Sequence, residues 1–457
     1  MSNNSSAIVE NKMGVMSIGK LLTSMAVPMM ISMLVQALYN IVDSIFVSFI
    51  SENALTAVSL AFPLQNLMIA FGAGTGVGLN ALLSRELGAK KFDKVNKVAN
   101  FGILIYTLTF LLFLVVGLSL PRLFMSTQTS NAEIIELGTQ YIMICLGCSL
   151  GLFYQFCFER LLQSTGKTSL SMIAQIVGAV TNIIFDYLLI FGEFGFPKLG
   201  VAGAALATVI GQFLAALVAL VLNIKFNKEI KLSFKLIRFN TAIFKEVYKV
   251  ALPSIIMQSI GSIMTFTLNK ILITFSTTAT AIFGVYFKLQ SFVFMPVFGL
   301  NNGMVPIISY NFGAKKPDRV KKTIKVAIAS AVSIMLVGLA IFEIFPAQLL
   351  SMFNASPNMI EIGVPALRII ALHFILAGFS IISISVSQAI GNPLYSLIVS
   401  VCRQLFVLIP TAWALSLTRI LDLVWFAFPI AELVAVAMSL FFLYKTMKNA
   451  NKIMKSE

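Results

Sequence analysis

Two carboxylates set inside long apolar runs offer the most chemistry in this chain. Asp43 lies in the run from residue 22 to 49, and Asp186 in the run from 168 to 191. A charge in a lipid-spanning segment is costly, so each is a functional candidate by default. Neither stands alone. Gln36, Tyr39, Asn40 and Asp43 are spaced by three and four, which places them on one face of a helix. Gln175, Ala179, Asn182 and Asp186 repeat that spacing. Gln155, Glu159 and Gln163 form a third stripe, and Thr208 with Gln212 a fourth. A polar face in hydrocarbon is unfavourable, so all four must turn toward protein or water. Together they suit one polar chamber.

Asp43 and Asp186 sit at similar depth from the outer ends of their segments. Two carboxylates that share a site titrate as a unit. Such a pair can take up a proton near neutral pH. It can equally hold a monovalent cation, a sodium ion for example, with neutral oxygens from Asn182 and Thr208. Gln36, Tyr39, Asn40, Gln155, Glu159 and Gln175 are candidates for contact with substrate. Glu159 adjoins Arg160, so a rim ion pair and a substrate contact are equally good readings of it.

The elements that position these residues follow from composition. The 457 residues are 58% hydrophobic and 11% charged, with a mean hydropathy of +0.93. Soluble domains carry about 25% charged residues. Twelve spans are expected, over 22–49, 54–84, 95–119, 133–157, 168–191, 201–224, 247–275, 279–309, 320–344, 360–385, 394–417 and 423–445, each long enough to cross a bilayer as a helix. The chain is therefore read as an all-α polytopic membrane protein.

The two halves repeat at a spacing of 225 positions. Pro28 recurs as Pro253, Leu64-Gln65 as Leu289-Gln290, Gly74 and Gly78 as Gly299 and Gly303, the string GAKK at Gly88 as GAKK at Gly313, and Gln163 and Gly166 as Gln388 and Gly391. A constant offset means two copies of one unit. Six spans per copy is even, so the repeats are parallel, as in many transporters. The division expected is 1–224 as a first six-helix lobe, 225–246 as a basic linker with a short surface helix, and 247–457 as a second lobe with a basic tail.

The net charge of +15 does not point to nucleic acid. Most Lys and Arg lie at the termini and in loops after even-numbered spans, which predicts that both termini are cytoplasmic in the plasma membrane. No basic patch interleaved with aromatics occurs. The polar start, residues 1–12, lacks the pattern of a cleavable signal peptide. Cys145 and Cys148 have metal or redox spacing but lie mid-span without partners, so they read with Cys157 and Cys402 as small buried hydrophobes.

Gly72, Gly74, Gly76 and Gly78 imitate a phosphate loop, but with no strand before them close helix packing is the better reading. Pro28, Pro63, Pro253, Pro296, Pro306 and Pro410 are expected to bend or break their helices. The second half lacks the acid pair: Leu268 and Thr411 stand at the equivalent positions, and its intramembrane charges are Lys270, Lys288, Arg403 and Glu432. A polar stripe of Gln258, Ser262, Thr265 and Asn269 shows that this half also lines something wet. His373, the single histidine, reads as a packing or pore-lining group more readily than as a proton relay. The 21 Met and 39 Phe would suit a cavity for flat cations, although most such residues face lipid or neighbouring helices.

The chain resembles the multidrug and toxic compound extrusion (MATE) family over about residues 22–444. The resemblance is carried by Ala26-Val27-Pro28, Tyr39-Asn40-Ile41-Val42-Asp43, Arg85-Glu86-Leu87-Gly88-Ala89, Asn182-Ile183-Ile184-Phe185-Asp186, Gly200 to Ala205, Ala251-Leu252-Pro253, Met295-Pro296, Val305-Pro306 and Tyr310-Asn311-Phe312-Gly313-Ala314. It implies two six-helix lobes that rock between inward-open and outward-open states. It implies export of cationic amphipathic compounds in exchange for protons or sodium, without another cofactor. On the DinF-like side of the family, positions matching Asp43, Asn182, Asp186 and Thr208 serve the coupling cation, and those matching Gln36 and Tyr39 lie near substrate. A monomer suffices for this action. A lipid-linked oligosaccharide flippase of the same superfamily is the alternative, but no arginine cluster lies mid-membrane. An enzyme is disfavoured by the single histidine and the lack of a nucleophile paired with a base.

Overall fold

A computed structural model of the protein describes residues 10–353 and 355–455. The polar start read above lies for the most part outside these residues. Among the described residues every regular element is helical. Hydrocarbon offers the backbone no hydrogen bonds, and a helix satisfies its own.

Ten helices are long and apolar enough to span a bilayer, and two bent pairs make up to twelve. In chain order they are α1 (Ile18–Ser48), α2 (Glu52–Gly88), α3 (Phe92–Ser119), α4 (Ala132–Gly147 with Leu150–Ser164), α5 (Thr168–Phe191), α6 (Val201–Phe226), α7 (Thr241–Leu272), α8 (Thr277–Gly313), α9 (Pro317–Ile344), α10 (Pro357–Ala371 with Phe374–Ile390), α11 (Pro393–Ser416) and α12 (Leu421–Lys455). The helices encroach on the stretch 225–246. Between α6 and α7 the surface helix reduces to a single turn, Phe234–Leu236.

The sequence repeat is also a repeat of local structure. Ser51 Oγ accepts from the Ala54 N–H at 3.0 Å to start α2, and Ser276 Oγ accepts from the Ala279 N–H at 3.0 Å to start α8. Lys90 and Lys315 both take positive φ, 58° and 53°, in the turns that end those helices. Ser84 Oγ donates to the Ser164 carbonyl at 3.0 Å, and Ser309 Oγ to the Ala389 carbonyl at 2.9 Å. Both α4 and α10 bend by 43°, at Cys148-Ser149 and at Leu372-His373.

Five of the prolines do not break their helices. Pro28, Pro63, Pro253, Pro296 and Pro306 lie inside continuous helices. Neighbouring helices hold the chain helical around a proline in a membrane bundle. Pro410 follows a π-helical segment, Cys402–Leu408, within α11.

By the sequence repeat, α1 to α6 are taken here as the first group and α7 to α12 as the second; α1 and α2 of the first pack on α8 and α7 of the second. The contact is made by glycine. A Cβ on Gly74 would lie 2.6 Å from Ile255 Cγ1 and 2.8 Å from the Ile255 nitrogen. One on Gly299 would lie 2.5 Å from Met30 Cα, and one on Gly303 2.7 Å from Ala26 Cα. Gly78 abuts the Val247 carbonyl, Gly88 the Tyr310 carbonyl and Gly313 the Arg85 carbonyl. The glycine run in α2 is thus a packing surface, with Gly72 against Phe156 and Gly76 against Arg160. These contacts between groups all fall in the half of each helix nearest the basic loops. Here that side is called the basic end, and the other the far end. Toward the middle, Asn66 Nδ2 of α2 donates to Ser262 Oγ of α7 at 3.2 Å.

The basic end is tied further by the segment before α1. Asn311 Nδ2 and the Arg319 guanidinium both donate to the Met13 carbonyl at 2.9 Å, and Arg319 also donates to the Met16 carbonyl at 2.8 Å. Asn11 Nδ2 donates to the Thr165 carbonyl at 3.0 Å and to Glu229 Oε1 at 3.1 Å. Lys316 pairs with Glu10 at 2.6 Å. That pairing holds the Glu10 carboxyl below the usual carboxylate range. The segment therefore bridges both groups.

Candidate functional site

Asp186 on α5 is fully buried and Asp43 on α1 half-buried. The charge of Asp43 is felt at Asp186 and at Tyr39. The two acids therefore lie within electrostatic range of each other. α1 packs along α5, which sets the two polar faces against each other.

Asn182 and Thr208 complete the group. Asn182 is one turn before Asp186 and is buried. With its amide turned to satisfy both neighbours, its nitrogen donates to Asp186 Oδ2 at 3.2 Å, and its oxygen accepts from the Thr208 N–H at 3.1 Å. In the other orientation the nitrogen donates to Thr208 Oγ1 at 3.3 Å. The first leaves fewer buried groups unpaired and is favoured for that reason. One oxygen of each acid, Asp43 Oδ1 and Asp186 Oδ1, is buried without a hydrogen-bond partner. Buried acceptors are normally satisfied, so each unpaired one calls for a proton, a cation or water.

The candidate substrate residues divide. Gln155, Glu159 and Gln175 come together: Gln155 Nε2 donates to Glu159 Oε1 at 2.9 Å, and Gln175 Nε2 to Glu159 Oε2 at 2.6 Å. Tyr39 lies close enough to feel the charges of Asp43, Asp186 and Glu159, which links the two groups into one polar wall. Gln36 is half-buried and Asn40 exposed on the same face of α1; among the described residues neither side chain hydrogen-bonds to the wall.

Glu159 makes no rim ion pair with Arg160. Adjacent residues on a helix point in different directions, and Arg160 Nη1 donates instead to Gln163 Oε1 at 2.7 Å. Gln163 Nε2 in turn reaches Ser171 Oγ at 2.9 Å, so Gln163 is taken up in packing.

Sequence reasoning missed two neighbours of Asp43 and a residue beside one of them. Tyr141 and Cys145 on α4 both feel its charge, and Tyr141 lies beside Gln65 and Cys145. Gln65 carried a signal, because it recurs as Gln290, whose Oε1 is also buried and unpaired. Tyr141 and Cys145 showed only their spacing of four.

The second group of helices holds a different arrangement. Arg403 Nη1 lies 3.3 Å from Glu432 Oε2. His373 is buried at the bend of α10, its Nδ1 2.6 Å from the Ile370 carbonyl, among the rings of Phe294, Phe374 and Phe428. Lys270 stacks over Phe266 at 4.8 Å and Lys288 over Phe353 at 5.9 Å. Phe283, Tyr286, Phe342 and Phe374 are fully buried core here rather than the lining of a cavity.

Comparison with known proteins agrees with this architecture. The chain is 29% identical over 430 residues to the multidrug export protein MepA of Staphylococcus haemolyticus, covering 94% of each chain. It is 28% identical over 374 residues to MepA of Staphylococcus aureus, covering 82% of each. Among solved structures it matches a multidrug resistance MATE family transporter in an outward-facing conformation, with TM-score 0.91, 25% identity and coverage of 97% of this chain and 99% of that one. It has the fold of a MOP superfamily transporter from Pyrococcus furiosus, with TM-score 0.90, 24% identity and coverage of 96% and 98%. The MatE family profile matches both halves, residues 28–188 and 253–414. The chain is a member of the MatE family, the multidrug and toxic compound extrusion transporters of the membrane.

Proposed function

We propose that the protein is a secondary active multidrug exporter that exchanges cationic amphipathic compounds for a proton or a sodium ion. It acts as a monomer in the plasma membrane, with the basic end and both termini cytoplasmic. In that orientation the glycine-packed basic end closes the cytoplasmic side. The observation that carries the reading is the pair Asp43 and Asp186, each with one buried unpaired oxygen, beside Asn182 and Thr208.

With both acids ionised, the wall from Asp43 through Tyr39 to Glu159 attracts a cation from the inner leaflet or cytoplasm. After the outward switch, an external proton or sodium ion binds at the unpaired oxygens, cancels one of the two negative charges and weakens the hold on the drug. One-for-one exchange of monovalent cations moves no net charge, so the drive is the coupling ion's concentration gradient, about 1.4 kcal/mol for each tenfold difference. Gln36, Tyr39, Asn40, Gln155, Glu159 and Gln175 form the drug-facing wall.

The test is efflux of ethidium from proteoliposomes under an imposed pH gradient or sodium gradient, with wild type and Asp43→Asn side by side. Dye movement driven by one gradient and lost in the variant supports exchange. Wild-type rates in Asp43→Asn would sink the assignment.

A further inference from the structure

Where the two groups of helices meet at the basic end, they border an open cleft of about 720 Å³ that lies apart from the acid pair. Its walls carry Lys90, Lys91, Lys94 and Lys97 from the α2–α3 hairpin, and Asn240 and Glu246 from the start of α7. Asp93 also faces it, so four cations stand against two anions. One of those anions is already engaged: Glu246 accepts from Arg85 at 3.0 Å and from Lys94 at 3.0 Å. Lys91 is held 3.9 Å from Glu86. The side-chain ammonium groups of Lys90 and Lys97 have no ion-pair or hydrogen-bond partner among the described residues. Lys90 is fixed in a left-handed turn by its φ of 58°.

The backbone adds to this charge. α3, 28 residues long, begins at Phe92 with no side-chain cap on its first N–H groups, and its first turn lines the cavity. Uncapped N–H groups at a helix start favour an anion. By contrast, Asn240 Oδ1 already caps α7, accepting from Ala242 and Ile243 N–H at 3.0 and 3.1 Å.

We propose that this cavity binds a phosphate group, carried by an anionic lipid headgroup or by a soluble phosphoester. Basic pockets between spanning helices on the cytoplasmic side suit such headgroups. Because its walls come from both helix groups, the bound phosphate holds the basic ends together. It therefore favours the arrangement seen here over one open at that end, since a ligand shifts an equilibrium by its differential affinity.

The test uses the full chain in nanodiscs of phosphatidylcholine, with or without phosphatidylglycerol, read by native mass spectrometry of retained lipid. Parallel samples in phosphatidylcholine alone receive inorganic phosphate or pyrophosphate, read by thermal shift. The variant is Lys90→Gln with Lys97→Gln, which leaves the Lys94–Glu246 pair in place. Its control is Lys321→Gln with Lys322→Gln, two exposed lysines at the same end. Retention of phosphatidylglycerol should weaken on the order of tenfold in the cavity variant and little in the control. Binding of phosphatidylglycerol alone would name a lipid as the source. Binding of phosphate or pyrophosphate, lost in the same variant, would name a soluble phosphoester. Equal behaviour of the cavity variant and the control, with either probe, would overturn the site.

Discussion

Replacing Gly303 by alanine should push the protein toward the state open at its basic end. The added Cβ would lie 2.7 Å from Ala26 Cα, 2.8 Å from the Ala26 nitrogen and 2.9 Å from the Met25 carbonyl carbon. Carbon atoms rest at about 3.5–4.0 Å, so α1 and α8 must part by about 1 Å. The atoms met are backbone and cannot swing aside, and such overpacking costs about 1–3 kcal/mol. That cost falls only on the arrangement in which α1 lies against α8. The gain of about 1 kcal/mol from alanine over glycine in a helix is common to both states and cancels. The equilibrium should therefore move by about 5- to 150-fold. Gly284→Ala is the control, because nothing lies within 4 Å of a Cβ there. Spin labels at positions 97 and 322, in a background without native cysteines, would report the separation of the basic ends by electron–electron resonance. Gly303→Ala should add a population at longer distance that Gly284→Ala lacks. Identical distributions for the two would refute the claim that glycine contact sets this closure.

Two further substitutions probe the parts around the site. Arg403→Met leaves Glu432, whose side chain is 4% exposed, without a charged partner. It should lower stability by about 3–5 kcal/mol, seen as earlier thermal unfolding in detergent, and Arg403→Met with Glu432→Leu should recover most of the loss. Arg319→Lys removes the fork that reaches the Met13 and Met16 carbonyls. With about 2 kcal/mol of charge-assisted bonding lost, trypsin should cut at Lys12 faster than in wild type; an unchanged cleavage rate would mean the segment before α1 is held by other contacts.

The polar stripes were legible because helical spacing of three and four reads directly from the chain, and an acid in an apolar run announces itself. The repeat was legible for a similar reason: caps, turns and glycine contacts use the same residue types at a fixed offset. What escaped depends on contacts between helices. Tyr141 and Cys145 reach Asp43 only because α4 packs beside α2, and nothing in their own segment shows it. Glu159 and Arg160 are neighbours in sequence, yet the helix turns them apart. The bends of α4 and α10 occur at Cys148-Ser149 and Leu372-His373, which carry no breaking residue. Meanwhile five prolines lie inside helices that continue through them. The structural role of Gly299 and Gly303 was expected from Gly74 and Gly78, but that these glycines join the two groups of helices required the fold.

The central claim is that one pair of acids holds either the drug or the coupling cation. It is tested most directly by equilibrium binding of ethidium to detergent-solubilised protein, followed by fluorescence anisotropy while pH or sodium is stepped. Wild type should release the dye as one of these cations rises. Asp186→Asn, with its carboxylate gone and the fold retained by circular dichroism, should show no such release. Dye displacement in Asp186→Asn equal to that of wild type would contradict the account.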